Sequence, residues 1–208
     1  MQSSNMTSKE YFSFVELSLV MMFISYVIAN TLYQERQDKT LSRVLVSKAK
    51  ISGLIGGKIL TGITIGIIQT IEVYLFSTLA FGLHWGKYTL LIFLEYILIA
   101  LFSTLVGIVC GYLIHNKDML DMVILMCAMI FAFFGGTLTP LTALKSYSAL
   151  RLMIQISPLY WANTSIMQMY AGELSSDFAI SVLILGILNA VLFAVCIMIV
   201  KKNKKTTK

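Results

Sequence analysis

The chain has 208 residues, 58% of them hydrophobic and 12% charged, with a formal net charge of +6 and a pI near 9.2. A soluble domain carries roughly 25% charged residues, so this composition excludes a water-soluble fold and points to an integral membrane protein. The excess positive charge, which in a soluble chain would suggest nucleic acid as a partner, here reports loops that collect Lys and Arg on the cytoplasmic side of a membrane.

A membrane-spanning helix needs about 20 mostly apolar residues. Five stretches qualify, at about 12–33, 59–83, 88–114, 119–134 and 178–200. They predict an all-α, polytopic membrane protein folded as a single transmembrane domain over 1–208. The fourth stretch is short and runs into Gly135-Gly136, which predicts a helix that stops before the far interface. Counting Lys and Arg sets the orientation. With the N-terminus outside, the segment from Arg36 to Lys58, Lys117 and the tail beyond Val200 lie inside, against Lys9, Lys87, Lys145 and Arg151 outside. That is twelve against four, so the chain is expected to start outside and end in the cytoplasm of a cell membrane. An outside start, an odd number of spans and no signal peptide lead to the expectation of a further helix upstream.

The first loop is unlike the rest of the chain. Residues 35–50 have the period of an amphipathic helix, with Leu41, Val44 and Leu45 on one face and Arg36, Lys39, Ser42, Arg43 and Ser47 around it. Asp38 or Thr40 is placed to cap a break within it. A basic helix of this kind rests on anionic lipid at about 1 kcal/mol per basic residue, or it docks a cytoplasmic partner. Composition alone favours lipid, and the interleaved acids Glu35 and Asp38 weaken that preference, because anionic lipid repels them and they suit specific pairing.

Between the last two spans, about 137–176, Leu141, Leu144, Leu152, Met153 and Ile156 stand among polar neighbours, and Pro140 and Pro158 bracket the stretch. This predicts short amphipathic helices lying in or dipping into the outer interface, with Tyr147, Tyr160 and Trp161 in the aromatic belt. Within the spans, Glu16, Glu72 and Glu95 are costly charges that face a protein interior or a water-filled cavity. They read first as acids near an interface, protonated or paired across helices, and with Gln69, one turn from Glu72, they are also candidates for a substrate path. The glycine pairs Gly53/Gly57, Gly62/Gly66 and Gly107/Gly111 predict close helix packing, with a homodimer seam as the sharper alternative. Asp118 and Asp121 suit the positive start of a helix. Cys110, Cys127 and Cys196 read as small buried apolar residues, and the twelve methionines as adaptable packing. No catalytic or metal-binding motif is present, and "GLIGGKIL" lacks the spacing and hydroxyl of a phosphate-binding loop.

The segment "QERQDKTLSRVLVSKAKISGLIGGKIL" resembles the cytoplasmic hallmark of ATP-binding-cassette (ABC) type-2 exporter permeases. In that family a span ends in Glu-Arg or Glu-Lys, then Thr-Leu, an Arg-Leu-Leu-like run, and Gly-Lys at the next span. Here these are Glu35-Arg36, Thr40-Leu41, Arg43-Val44-Leu45 and Gly57-Lys58. "FFGGTLTPL" and "ISPLYWAN" resemble the family's re-entrant turn, through Gly135, Gly136, Pro140, Pro158 and Trp161. The resemblance implies that Glu35, Arg36, Thr40, Leu41, Arg43, Leu45 and Lys58 form a coupling helix seated on separate cassette ATPase subunits. Those subunits would bring ATP and magnesium, so the chain itself binds no cofactor and is not an enzyme. It also implies a second permease copy or paralogue, and export of a drug, antimicrobial peptide or lipid-like substrate by alternating access. The five spans correspond to the family's second through sixth. A truncated, non-transporting immunity or sensor component is the alternative.

Overall fold

A computed structural model of the chain describes residues 7–40, 43, 51–146 and 148–206. The helices are α1 (Ser8–Gln37), α2 (Ile51–Phe81), α3 (Thr89–Leu113), α4 (Lys117–Phe134), α5 (Leu141–Lys145), α6 (Ser148–Met153), α7 (Pro158–Tyr170) and α8 (Ser176–Thr206), with a 3-10 turn at Ile154–Ile156. No strand occurs among the described residues. That is the expected solution for an apolar chain in lipid, where each backbone polar group must be satisfied within its own segment.

Among the described residues, four helices are long and apolar enough to cross a membrane: Ser8–Gln37, Gly53–Phe81, Thr89–Leu113 and Ser176–Lys202. The fourth expected span corresponds to α4, which has 18 residues, or about 27 Å of rise. Lys117, Asp118 and Asp121 occupy its start, so it does not qualify with the other four. Its ends nevertheless meet α1 near Asn30, which donates to Asp121, and near Tyr11, which donates to the Gly136 carbonyl. It therefore runs alongside most of α1.

Local chemistry sets the ends of these helices. Thr7 and Glu10 form a reciprocal capping box at the start of α1, satisfying two otherwise orphaned N–H groups. The Asn116 side chain caps α4 through the Met119 N–H at 3.0 Å. At the other end of α4, Gly136 adopts φ +86°. The Thr137 N–H reaches back to the Ala132 carbonyl and the Gly136 N–H to that of Phe133. This is a Schellman closure, which glycine allows without steric cost. The predicted early stop after Phe134 is therefore a built helix terminus.

Contacts along the helices give their directions. Residues 14, 25 and 32 of α1 meet 96, 103 or 107, and 111 of α3, so these two helices run parallel. Gly62 and Gly66 of α2 meet Thr104 and Ala100 of α3, so α2 runs against them. Ser181, Asn189 and Cys196 of α8 bond at Glu95, Leu98 and Leu105, so α8 runs with α3. The described start of α1 and end of α8 therefore lie at opposite ends of the bundle.

Helices α1 and α3 are the centre. In their most apolar windows 56% and 61% of residues are buried, against 17% for both α2 and α8, so the last two carry most of the outward face. The core is built on Phe14, Leu17, Met21, Ile24, Ile28 and Leu32 of α1, with Ile92, Tyr96, Ile99, Leu105 and Ile108 of α3.

Small residues let these backbones approach. A Cβ on Gly107 would clash at 2.6 Å with the Ser25 carbonyl oxygen, and one on Gly111 would sit less tightly, 3.0 Å from the Leu32 side chain. One turn earlier, Ser103 donates to the Met22 carbonyl and accepts from the Ser25 N–H, both at 2.9 Å. On its other side α3 offers Ala100 and Thr104 to Gly66 and Gly62. Two of the three glycine pairs are thus packing seams within one chain. Gly53 and Gly57 have nothing within 4 Å.

These contacts set opposite expectations for one substitution. Gly107→Ala should destabilise the detergent-solubilised protein by about 1–3 kcal/mol, because the obstacle is helix backbone that cannot yield. Gly53→Ala should leave it unchanged, or more stable by less than about 1 kcal/mol, through lower backbone entropy in the unfolded chain. Thermal melting of both variants checks the pair.

Candidate functional site

One end of the bundle gathers cations. Arg36, Lys39, Arg43, Lys58, Lys117, Lys201 and Lys202 all belong to segments that end or begin there. Glu35 and Arg36, predicted within a coupling helix over 35–50, are instead the last turn of α1, which closes at Asp38. Lys39 then takes φ 57°, the left-handed region, and helix resumes at Thr40. The Thr40 hydroxyl caps the end of α1 by donating to the Glu35 carbonyl at 2.9 Å. The break anticipated at Asp38 or Thr40 is therefore real. Leu41 and Leu45 lie outside the described residues.

Arg36 does not project toward a partner. Its guanidinium donates to the carbonyls of Gly111 at 2.6 Å and of Tyr112 and Ile114, each at 3.2 Å. These include carbonyls left orphaned where α3 ends, and a cation there also meets the negative end of the helix dipole. Glu35 is engaged by Lys58 of α2 in an ion pair. The pair therefore ties α1 to α2 while Arg36 ties α1 to α3. Thr40 and Arg43 remain exposed. Of the predicted coupling residues, Glu35, Arg36 and Lys58 fasten helix ends to one another, and Thr40 and Arg43 are exposed. Nearby, Lys117 bonds Asn30 at 2.8 Å and Asp121 at 3.1 Å.

The opposite end holds the predicted re-entrant region. Leu141 and Leu144 are buried with Ile154 and Tyr160 in a small separate core, whereas Leu152, Met153 and Ile156 are 74%, 50% and 77% exposed, the arrangement of an interfacial apolar patch. Trp161 is partly exposed, its ring N–H on the Gln155 carbonyl at 2.9 Å. Tyr147 lies outside the described residues. Pro158 starts α7 at a position that needs no N–H. That helix is no surface helix. Pro158, Leu159, Tyr160, Ala162, Asn163, Ser165, Ile166 and Met169 are all buried, so it dips into the bundle instead of lying on it.

Polar contacts hold α7 in place. Asn163 donates to the Gly135 carbonyl at 2.8 Å and accepts from Ser18. Ser157 donates to the Phe131 carbonyl at 2.9 Å. Gly135 lies so close that a Cβ there would meet that of Leu159 at 2.6 Å. Pro140 begins α5, whose Leu141 N–H is received by the Tyr11 hydroxyl at 3.1 Å. Tyr170, at the end of α7, donates to Glu10 at 2.7 Å. Burial, with that carboxylate beside it, pushes the phenol up to about 12, so it remains a donor.

The four candidate substrate-path residues are not brought to one place. Glu95 is fully buried, with Ser165 of α7 at 2.9 Å and Ser181 of α8 at 3.0 Å from its two oxygens. Glu16 and Glu72 are exposed on open helix faces, and Gln69 is half-buried with an unpartnered buried oxygen. No hydrogen bond or ion pair joins any two of the four. Sequence reasoning missed Ser18, Asn163, Ser165 and Ser181. The only available signal was a polar residue inside an apolar run, which is common and does not name its partner.

These features define an all-α, polytopic membrane protein with a cationic end and, at the other end, a short helix buried against the long ones. The family model for ABC-2 family transporter proteins matches residues 1–198. No curated protein and no solved structure matches the chain. The chain belongs to the ABC-2 transporter family, and it is a membrane-spanning transport component.

Replacing Arg36 with Met keeps the apolar stem and removes the cap. Each lost bond to a charged donor is worth about 1.5–3 kcal/mol, so Arg36→Met should lower the melting temperature clearly. Arg36→Lys should recover only part of the loss, because an ammonium lacks the planar fork.

Proposed function

We propose that the chain is the permease subunit of an ABC exporter and that its cationic end receives a separate cassette ATPase. The observation that carries this reading is the division of labour at that end. Arg36, Glu35 and Lys58 bind the ends of α1, α2 and α3 to one another, and the exposed Thr40 and Arg43 follow directly on the end of α1. A push on the segment after Lys39 would reach the central helices through rigid, bonded termini. Leu41 and Leu45, which the family resemblance places in the same contact, would supply its apolar part.

In this reading the cationic end is cytoplasmic, where anionic lipid also favours it, and the start of α1 is outside. ATP and magnesium are held by the ATPase. A second permease, identical or paralogous, completes the translocation path. Glu16 and Glu72 support that arrangement, since an acid on the open face of a spanning helix is expensive against lipid and more favourable toward a watery passage. Such a path suits cationic or amphipathic cargo, such as a drug, a membrane-active peptide or a lipid-like molecule.

Mild-detergent purification of the tagged chain from its native membranes should recover a cassette ATPase in near-stoichiometric amount. Arg43→Glu should cut that recovery about tenfold, equivalent to about 1.4 kcal/mol of docking energy, with unchanged membrane insertion. Recovery of the well-folded chain alone would instead support a non-transporting immunity or sensor role.

A further inference from the structure

Glu95 is the one acid on the spanning helices that the fold encloses completely, at 0% exposure in the second turn of α3. It has no cationic partner. The described residues contain ion pairs between Lys58 and Glu35 and between Lys117 and Asp121, and neither touches it. The titratable groups of the helices packed around it are engaged elsewhere. Tyr96 donates to the Phe14 carbonyl, Tyr170 to Glu10, and Asp177 accepts from Gln168. Tyr74 packs against Trp85 and Phe93. Glu16 and Glu72 are exposed. The cations nearest this end in the chain, Lys9 and Lys87, are also exposed, and Lys87 sits over the Tyr88 ring.

An unpaired carboxylate taken out of water costs several kcal/mol, more than two neutral hydroxyl bonds return. The partners chosen are serines, and a hydroxyl accepts as readily as it donates. Both hydroxyls lie within donating reach, one at each oxygen, and the same pair accommodates a neutral acid when one hydroxyl turns to receive the carboxyl O–H. They also come from two different helices, α7 and α8, and meet the acid on α3. The proton thus sits where the re-entrant helix and the last span join the centre of the bundle.

We propose that Glu95 is a proton-binding site and that its bound proton fastens α7 and α8 to α3. Losing the proton leaves a stranded charge that is relieved when α7 shifts and water enters, so the fastened form is favoured at lower pH and released as pH rises. This inference does not rest on the transport reading, and its test does not require an ATPase or a substrate.

The test is infrared spectroscopy of the whole chain in lipid nanodiscs at neutral pH. The expected wild-type spectrum contains the carbonyl stretch of a protonated carboxylic acid that is missing from Glu95→Gln. Ser165→Ala and Ser181→Ala should keep the band and shift its frequency, because each removes a hydrogen bond to the carboxyl group. Raising the pH until the band disappears should accompany a rise in amide exchange within 158–170 beyond the base-catalysed rise shared by the other helices, and Glu95→Gln should not show that excess. If Glu95→Gln does not fold, the two serine variants decide the matter, since a structural role alone would not move an acid band. A spectrum in which Glu95→Gln loses ionised-carboxylate intensity instead, serine variants that shift nothing, or exchange in α7 that ignores the loss of the band would overturn the proposal.

Discussion

The close contact between α1 and α3 is the constraint on which the rest depends. Lipid supplies little hydrophobic drive for helices to associate, so contact must come from tight packing and hydrogen bonds. Ser103, Gly107 and Gly111 form a shallow groove along α3, and α1 lies in it with Ser25 against Gly107 and Leu32 against Gly111. The hydroxyl of Ser103 accepts from one α1 backbone group and donates to another. These features set both the separation and the axial register of the pair.

That register determines what happens at both ends. It brings Arg36 level with the last carbonyls of α3, so the final turn of one helix caps the other. At the opposite end it sets Phe14 beside Trp85 and Tyr170, and Tyr96 beneath the Phe14 carbonyl at 2.8 Å. The Trp85 ring N–H is satisfied by Ser77 at 2.9 Å, which anchors the α2–α3 connection to the same aromatic group. A displacement of α1 along its axis would therefore disturb the cationic end and the re-entrant end together.

The polar residues of the spans divide into two groups by what surrounds them. Ser18, Ser25, Ser103, Asn163, Ser165 and Ser181 are buried and bonded, and they hold helices together. Glu16 and Glu72 are exposed on open faces. Glu95 belongs with the first group by position and with the second by chemistry, which makes it the exceptional acid of the bundle.

The sequence by itself determined the solvent, the helical class and most of the spans, because about 20 consecutive apolar residues have no other stable form in a bilayer. It also located the stop at Gly135-Gly136 and the break near Asp38, since these depend on local backbone chemistry. It placed the start of the second span at 59 where α2 begins at Ile51, because the intervening Gly and Lys residues mask a helix that continues past the apolar run. Tertiary structure decided everything that depends on which face meets which neighbour. Arg36, an expected docking cation, is consumed in capping α3. Glu16, Glu72 and Glu95 read alike along the chain, and only packing separated the enclosed acid from the two exposed ones. The three Gly-xxx-Gly pairs were likewise equivalent in sequence, and two became seams while one stayed open. A local pattern specifies that a surface is small or polar, but the partner that makes it a seam, a cap or a proton site lies some 70 to 145 residues away.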